Sequence, residues 1–560
     1  MKKQTKRRCA FFASLAAVAV LSCFFWFRID LTQEKRFSIA KQTKQLIGQI
    51  DTPVNIVCYL GGSVDANIAH LKNAMENMVE EFNSYSSKKI QLEFVNPSVA
   101  NSDEERVKNY LALERQGMRG LSVARKEKNG KISQSVVFPW AHVVMHGDSL
   151  LIPLFENNSQ ASTAQLIAHS IEDMEFRLTD AIRALSKKTV DKIAFIEGHG
   201  ELDEQYVYDA ESALSRYFQV DRGVIGYDAA VLDEYKAIVV AQPKDKFSET
   251  DKYIIDQYFM NGGRVMWLID GIEFSEKTLS KSGISPVLPL DVNLQDMLFR
   301  YGVRILPSVL EDMQCAYMPV NVAPAGQPAQ FEALPWFYAP LLITSPYHPI
   351  TKNSMQVKAN FASVLEFTNN SNDVEKDVLL ITSNATRISR APTEIKMAAM
   401  PEIDPQTYFN TKYQPVAVAM KGTFPSVFTN RITPPEITNA APKKDISVPT
   451  RMIVVADGDV IRNDVEYKGS SVGIVPLGFD RVTKQMFGNR NFIVNSLLYL
   501  TDDENWLELR NRTIKLRLIN QAVTTSYRTY WQVFNVLVPL LLLATFGGIY
   551  FLVRRRRNRV

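Results

Sequence analysis

Cysteine is nearly missing from this 560-residue chain: there are four, and only Cys58 and Cys315 lie beyond its first thirty residues. That excludes a disulfide framework. A lone Cys58–Cys315 bridge is not expected either, because each reads as a strand or loop residue of a different domain. Histidine is scarce, at six, and neither CxxC nor HExxH occurs, so the common metal-site spacings are absent. No Gly-x-Ser-x-Gly elbow is present, and no cysteine lies between 191 and 314. An α/β hydrolase or thiol amidotransferase would need one of these nucleophiles. No GxxxxGK[ST] loop exists, so the chain should not hydrolyse ATP itself. No metal or cofactor is expected.

Excess charge is also lacking. The formal net charge is +4, but ten of the 64 basic residues sit in two short tails without acids, leaving 54 basic against 60 acidic residues. A nucleic-acid binder would carry a basic folded part, and this one does not. The basic tails flank two apolar runs. Residues 10–27 follow Lys2, Lys3, Lys6, Arg7 and Arg8, and residues 533–553 precede Arg554 to Arg557 and Arg559. Helices of these lengths reach roughly 27–32 Å, the thickness of a bilayer's hydrocarbon core. Lys and Arg remain cytoplasmic, so both termini should face the cytoplasm with a large body outside, in contact with lipid only at its ends. Ala17-Val18-Ala19 has the form of a signal-peptidase site, and Val20-Leu21-Ser22-Cys23 that of a lipobox. An uncleaved anchor remains the expectation, because apolar residues continue to Phe27. Tyr530, Trp531 and Tyr550 suit an interfacial belt around the second run.

Between the runs the pattern is α/β. Residues 28–50 form a membrane-proximal segment with a short amphipathic helix, capped by Thr32 or Ser38. Strand 54–60, helix 66–85 and strand 90–95 make a βαβ unit. Hairpin strands near 121–124, 135–139 and 141–145 and a long helix at 163–186 complete a domain over 51–188. A second domain over 189–504 starts with strand 193–196, helix 206–218, strand 237–241, helix 250–260 and strand 264–270. That rhythm specifies a doubly wound parallel sheet. Residues 275–450 are rich in Pro, Asn and Thr, and read as a β-rich insertion. Strands at 378–382 and 416–420 belong to it, as do surface loops at 319–335 and 433–449 and a loop over 388–409. Trp336-Phe337-Tyr338 suits either an interface or a local core. The α/β pattern returns with strand 451–456, the turn Asp457-Gly458-Asp459 and helix 491–500. A stalk over 505–532 leads to the second apolar run, and 554–560 is the tail.

Glu197-Gly198-His199-Gly200-Glu201 is the sharpest local feature. It follows a strand, and ligands of open α/β sheets bind outside the strands' carboxyl ends. Glu197, His199 and Glu201 could hold a metal, bind another ligand, or supply an acid and a base, with Asp270 at another strand end. A solvated glycine turn explains the same residues. Asp457-Gly458-Asp459 lacks the spaced oxygen ligands of a calcium loop and suits a helix cap.

Three stretches carry a family resemblance: RIDLTQEKRFS at 28–38 after the first apolar run, the Glu197–Glu201 turn, and the 451–500 segment with its Asp-Gly-Asp turn and Gly488-Asn489-x-Asn491-Phe492-x-x-Asn495-Ser496 run. Together they resemble GldG, the auxiliary membrane protein of the gliding-motility ABC transporter of Bacteroidota. The resemblance implies a thioredoxin-like first domain. It implies a second domain similar to one shared with intraflagellar transport proteins and to glutamine amidotransferases, without catalytic residues. It further implies a non-enzymatic inner-membrane protein, with its body in the periplasm and an ABC permease and cytoplasmic ATPase as partners. Presentation of a solute or polymer to the transporter is the alternative.

Overall fold

The computed structural model describes residues 38–557, apart from 63–65, 119, 127–131, 156–162, 187–189, 324–326, 353, 369–372, 398–403, 440, 470, 504–505 and 512–525. The first apolar run, Thr32 and the alternatives at Ala17 and Cys23 lie outside the described residues.

The first sheet is built from β1 (Val54–Cys58), β2 (Ile90–Phe94), β3 (Trp140–Met145) and β4 (Asp148–Pro153), in the order β2-β1-β3-β4. β1 and β2 are parallel, as the helix between them requires, while β3 and β4 run antiparallel. Helices α1 (Lys41–Gly48), α2 (Ala66–Tyr85) and α3 (Thr163–Ser186) pack here. Ile47, Leu71, Met75, Phe82, Leu178 and Ile182 share one core with Val54 and Ile56. No serine or threonine caps α1: its first residue is preceded by Ala40, whose N–H donates to Glu175 Oε1 of α3 at 2.6 Å, and Thr43 Oγ1 donates to the same oxygen at 2.7 Å.

The second sheet contains β5 (Asp191–Glu197), β6 (Phe218–Val224), β7 (Ala237–Ala241), β8 (Val265–Leu268), β9 (Cys315–Asn321), β10 (Phe331–Thr344), β11 (Val374–Ile381), β12 (Pro415–Gly422) and β13 (Thr450–Val455). Its order is β9-β10-β11-β12-β13-β8-β7-β5-β6, with Val357–Lys358 paired to β10. The five strands from β13 to β6 are parallel, and the insertion adds antiparallel strands outside β13.

Alternate residues of the parallel strands feed two cores. Phe195, Val239, Met266 and Ile453 face α4 (Glu204–Leu214) and α6 (Asn489–Thr501), where Phe492 and Leu497 are buried. Ile196, Val240, Trp267 and Val454 face α5 (Glu249–Met260), with Ile255 and Phe259. A strand covered on both faces has no polar side, so β7 reads Ala-Ile-Val-Val-Ala and is buried throughout. Ser248 starts α5 by accepting the Asp251 N–H.

Three contacts tie α3 to the core around Phe195 and Met266. Phe176 is buried in that core, the Tyr217 hydroxyl is hydrogen-bonded to Asp180, and the Arg183 guanidinium lies 5.4 Å from the Trp506 ring centre.

Several sequence expectations are corrected. The described part of 388–409 is not loop throughout: strand Thr386–Arg390 pairs with Ser308–Asp312, Thr393–Lys396 pairs with Ile284–Pro289, and Pro405–Tyr408 is a helical turn. Their weak local pattern is overridden by strands distant in sequence. Residues 319–321 and 331–335 are not surface loop but paired parts of strands β9 and β10. The helix read at 206–218 is α4, which ends at Leu214, so Phe218 opens β6. Trp336 and Tyr338 pack on Phe361 within a small local core.

The stalk reading fails at its start, because Trp506–Asn511 is a 3-10 turn that buries Trp506 and Leu507 in the sheet's core. Hydrophobic burial competes there with the charged residues that suggested an exposed stalk. Among the described residues one helix is long and apolar enough to cross a membrane: α7 (Arg528–Arg557), with Pro539 inside it. It belongs to a unit separate from the sheets.

Replacing Trp506 by Ala should cost about 3–5 kcal/mol, as expected of a buried aromatic. The unfolding midpoint of the purified chain checks it, since an exposed stalk residue would leave the midpoint in place.

Candidate functional site

Strand order places the candidate site. β6 lies on one side of β5 and β7 on the other, so the chain reverses direction across the sheet between β5 and β7, the place where open α/β sheets set their ligand crevice. Two loops meet in it: residues 197–201 after β5 and 242–246 after β7. The Lys244 and Asp245 N–H groups both donate to the His199 carbonyl at 2.8 Å, and the Leu202 N–H donates to Ala241 O at 3.0 Å. Gly200 has φ +70°, and a Cβ there would lie 3.0 Å from Asp245 Oδ2. The glycine is therefore needed for conformation and for contact.

His199 is buried. Its ring stacks on Phe247, with centroids 3.6 Å apart and planes 11° apart. Nδ1 lies 3.0 Å from Glu201 Oε1 and Nε2 lies 3.2 Å from Asp251 Oδ2. Burial alone would lower the imidazole pKa, but Asp251 and Glu201 outweigh it and raise it to about 9. The ring is an imidazolium at neutral pH, donating from both nitrogens. Burial works against the Asp251 charge, yet His199 and Ser248 hold its pKa low. In this state His199 is a pin between loop and helix, and it offers no free nitrogen to a base's task. Glu197 is turned elsewhere, accepting from Arg222 Nε at 2.8 Å, while Arg222 also donates to Glu211 at 2.5 Å.

Asp270 lies at the end of β8 in a second cluster. Its Oδ2 accepts from Lys244 Nζ at 2.5 Å and Gln242 Nε2 at 3.0 Å, and its Oδ1 from the Gly458 N–H at 2.7 Å. Gln242, with φ +55°, also donates to Asp459 Oδ1 at 2.9 Å. A Cβ on Gly458 would come within 2.4 Å of the Gln242 side chain, so only glycine admits this approach. Asp457 caps the turn that follows, accepting from the Asp459 N–H at 2.7 Å. Burial raises the pKa of Asp457 far above the carboxylate range and raises that of Asp459, with Asp270 adding to both. Lys244 joins the clusters: its backbone meets His199 and its side chain meets Asp270.

Glu201 and His199 thus come together, Asp270 stands two strands away from β5 at the end of β8, and Glu197 leaves the group. Asp251, Gln242 and Lys244 were not read from the sequence. They carry no motif and reach the site only through the strand order. Beyond Asp270 opens a cavity of about 430 Å³, lined by residues 269–271, by Leu290, Leu294 and Leu298 with their neighbours, and by Arg304 and Ile305.

Cys58 and Cys315 are both free and buried, and burial pushes each thiol up to about 12. Neither supplies a thiolate.

The body is α/β with two cores around its larger sheet, and the described residues add one apolar helix long enough to cross a membrane. The chain belongs to the family described as ABC-type uncharacterized transport system, which matches residues 191–496, and a domain of unknown function, DUF7088, matches residues 33–144. An uncharacterised protein of Borreliella burgdorferi is 19% identical over 552 residues, spanning 95% of this chain and 94% of that protein. The mmIFT52 N-terminal domain aligns over 56% of this chain and 99% of that one, at 11% identity and a TM-score of 0.33. A likeness that slight has no weight for fold or role.

With its pKa raised to about 9, His199 stabilises the fold fully below pH 6.5, the unfolded value, and this contribution fades as pH climbs through 9. Stability curves at pH 6 and pH 9.5 should therefore separate for the native chain and draw together in His199→Gln. Glu197→Gln, at an exposed ion pair, should shift stability by less than about 1 kcal/mol in the same unfolding measurements.

Proposed function

We propose that this chain is a non-enzymatic subunit of an ABC transport complex, of the GldG kind, that couples an external body to a membrane permease and its cytoplasmic ATPase. The match of the transport-system family to residues 191–496 carries the reading. The crevice chemistry supports it: the one histidine at the strand ends is held as an imidazolium between two carboxylates. Two anchors, at 10–27 and within α7, would place both tails in the cytoplasm and the body in the periplasm, with the basic tails holding that orientation. The order β2-β1-β3-β4 supports a thioredoxin-like first domain over 51–188. The parallel strands β5 to β8 support an amidotransferase-like second domain over 189–504. In this role the protein is a lever: nucleotide-driven movement of the permease reaches the body through both ends.

A second reading is that the body presents a small ligand to the transporter, and the cavity beside Asp270 favours it.

Photocrosslinkers in the body, in cells with and without a hydrolysis-deficient partner ATPase, test the coupling reading. The expected outcome is crosslinks to the permease whose pattern changes with ATPase state, and an unchanging pattern or none overturns it. Reporter fusions after residue 557 should read as cytoplasmic, and insertions within 433–439 as periplasmic.

A further inference from the structure

We propose that the cavity beyond Asp270 binds an amphiphile with one aliphatic chain-bearing anionic end, its head on Arg304 and its chain along Leu290, Leu294 and Leu298. This deepens the second reading above and does not depend on coupling to an ATPase.

The walls are chemically one-sided. Ile269, Leu290, Val292, Leu294, Leu298 and Ile305 line the space, and its volume of about 430 Å³ falls in the range of small-molecule pockets. Its position, just past the end of β8, is where an open parallel sheet places ligands.

The charges on the lining decide the sign of the ligand. Asp270 is paired with Lys244 at 2.5 Å and Asp291 with Lys246 at 2.5 Å. Asp296 is paired with both Lys252 and Arg431 at 2.9 Å. Each acid on the wall therefore has its cation. Arg304 is the exception: it is exposed, and among the described residues no hydrogen bond or ion pair holds its guanidinium. Glu366 faces it across the strand pair Val303–Ile305 with Leu365–Phe367 without an ion pair between them. An apolar hollow with one uncommitted cation at its rim selects an apolar body with one anion. Guanidinium groups favour carboxylate and phosphate oxygens, which they bind as a fork. A cation would meet Arg304, and a neutral chain would leave it unused.

Free carboxylates and anionic lipids share this chemistry, and the test separates them. The full-length chain is placed in nanodiscs of zwitterionic lipid and photolabelled with a diazirine-bearing decanoate, its neutral decanol counterpart, or a phosphatidate with the diazirine in one acyl chain. Labelled peptides are mapped by mass spectrometry. Labels from decanoate, phosphatidate or both should fall within 289–307, and the responding probe names the source. Arg304→Gln should raise the half-saturating probe concentration about tenfold or more, and Arg304→Lys should restore part of the loss. Gln295→Trp, on an exposed position at the mouth, should block labelling with the melting temperature unchanged. Labelling elsewhere only, equal labelling by decanol, or no response to Arg304→Gln overturns the proposal. Loss of ATPase-dependent crosslinks would leave a positive result standing, and a negative result would leave the coupling reading standing.

Discussion

The pairing of β8 with β13 is the constraint on which the larger body depends. Val265–Leu268 lie in parallel register with Met452–Val455, although the whole insertion separates them in sequence. Closing so long a loop costs entropy, but the cost grows only logarithmically with length. Both strands are apolar on both faces, and each face is covered, so the pairing buries Met266 and Ile453 in one core and Trp267 and Val454 in the other. It also sets Asp270 beside the 457–459 turn. Without that register neither the aspartate cluster nor the wall of the neighbouring cavity would exist.

The charges inside the body follow from the same arrangement. His199 is buried with two carboxylates and an aromatic face, and Asp270 with a lysine and two amide donors. Burying such groups is unfavourable unless their hydrogen-bonding capacity is met. The structure meets it across elements: β5 with α5, and β7 with β8 and β13. These pairs fix the relative position of loops that have no regular structure. That is a positional role.

The α/β rhythm, the buried strands and the long helix α3 were legible because apolar spacing and β-branched runs decide them locally. The Glu197–Glu201 turn was legible as a strand end with glycines. Its partner Asp251 was not, because the contact requires the order of β5 and β7, which no local window contains. Residues 388–409 read as loop for a similar reason: Thr386–Arg390 and Thr393–Lys396 are polar strands whose identity comes from their partners. Trp506 was misread because Lys and Arg follow it closely, and a charged neighbourhood outweighed one buried ring. Sequence left the pairing of Cys58 and Cys315 open, with a bridge disfavoured, and both are free.

One feature of α3 bears on how force would pass through the protein. The helix contributes Leu178 and Ile182 to the first domain's interior, while Phe176, Asp180 and Arg183 engage the second. Close-packed interiors shift between discrete arrangements and do not flow. A rod keyed into two such interiors acts as a splint: a push on either body is transmitted to the other, and independent wobble is suppressed.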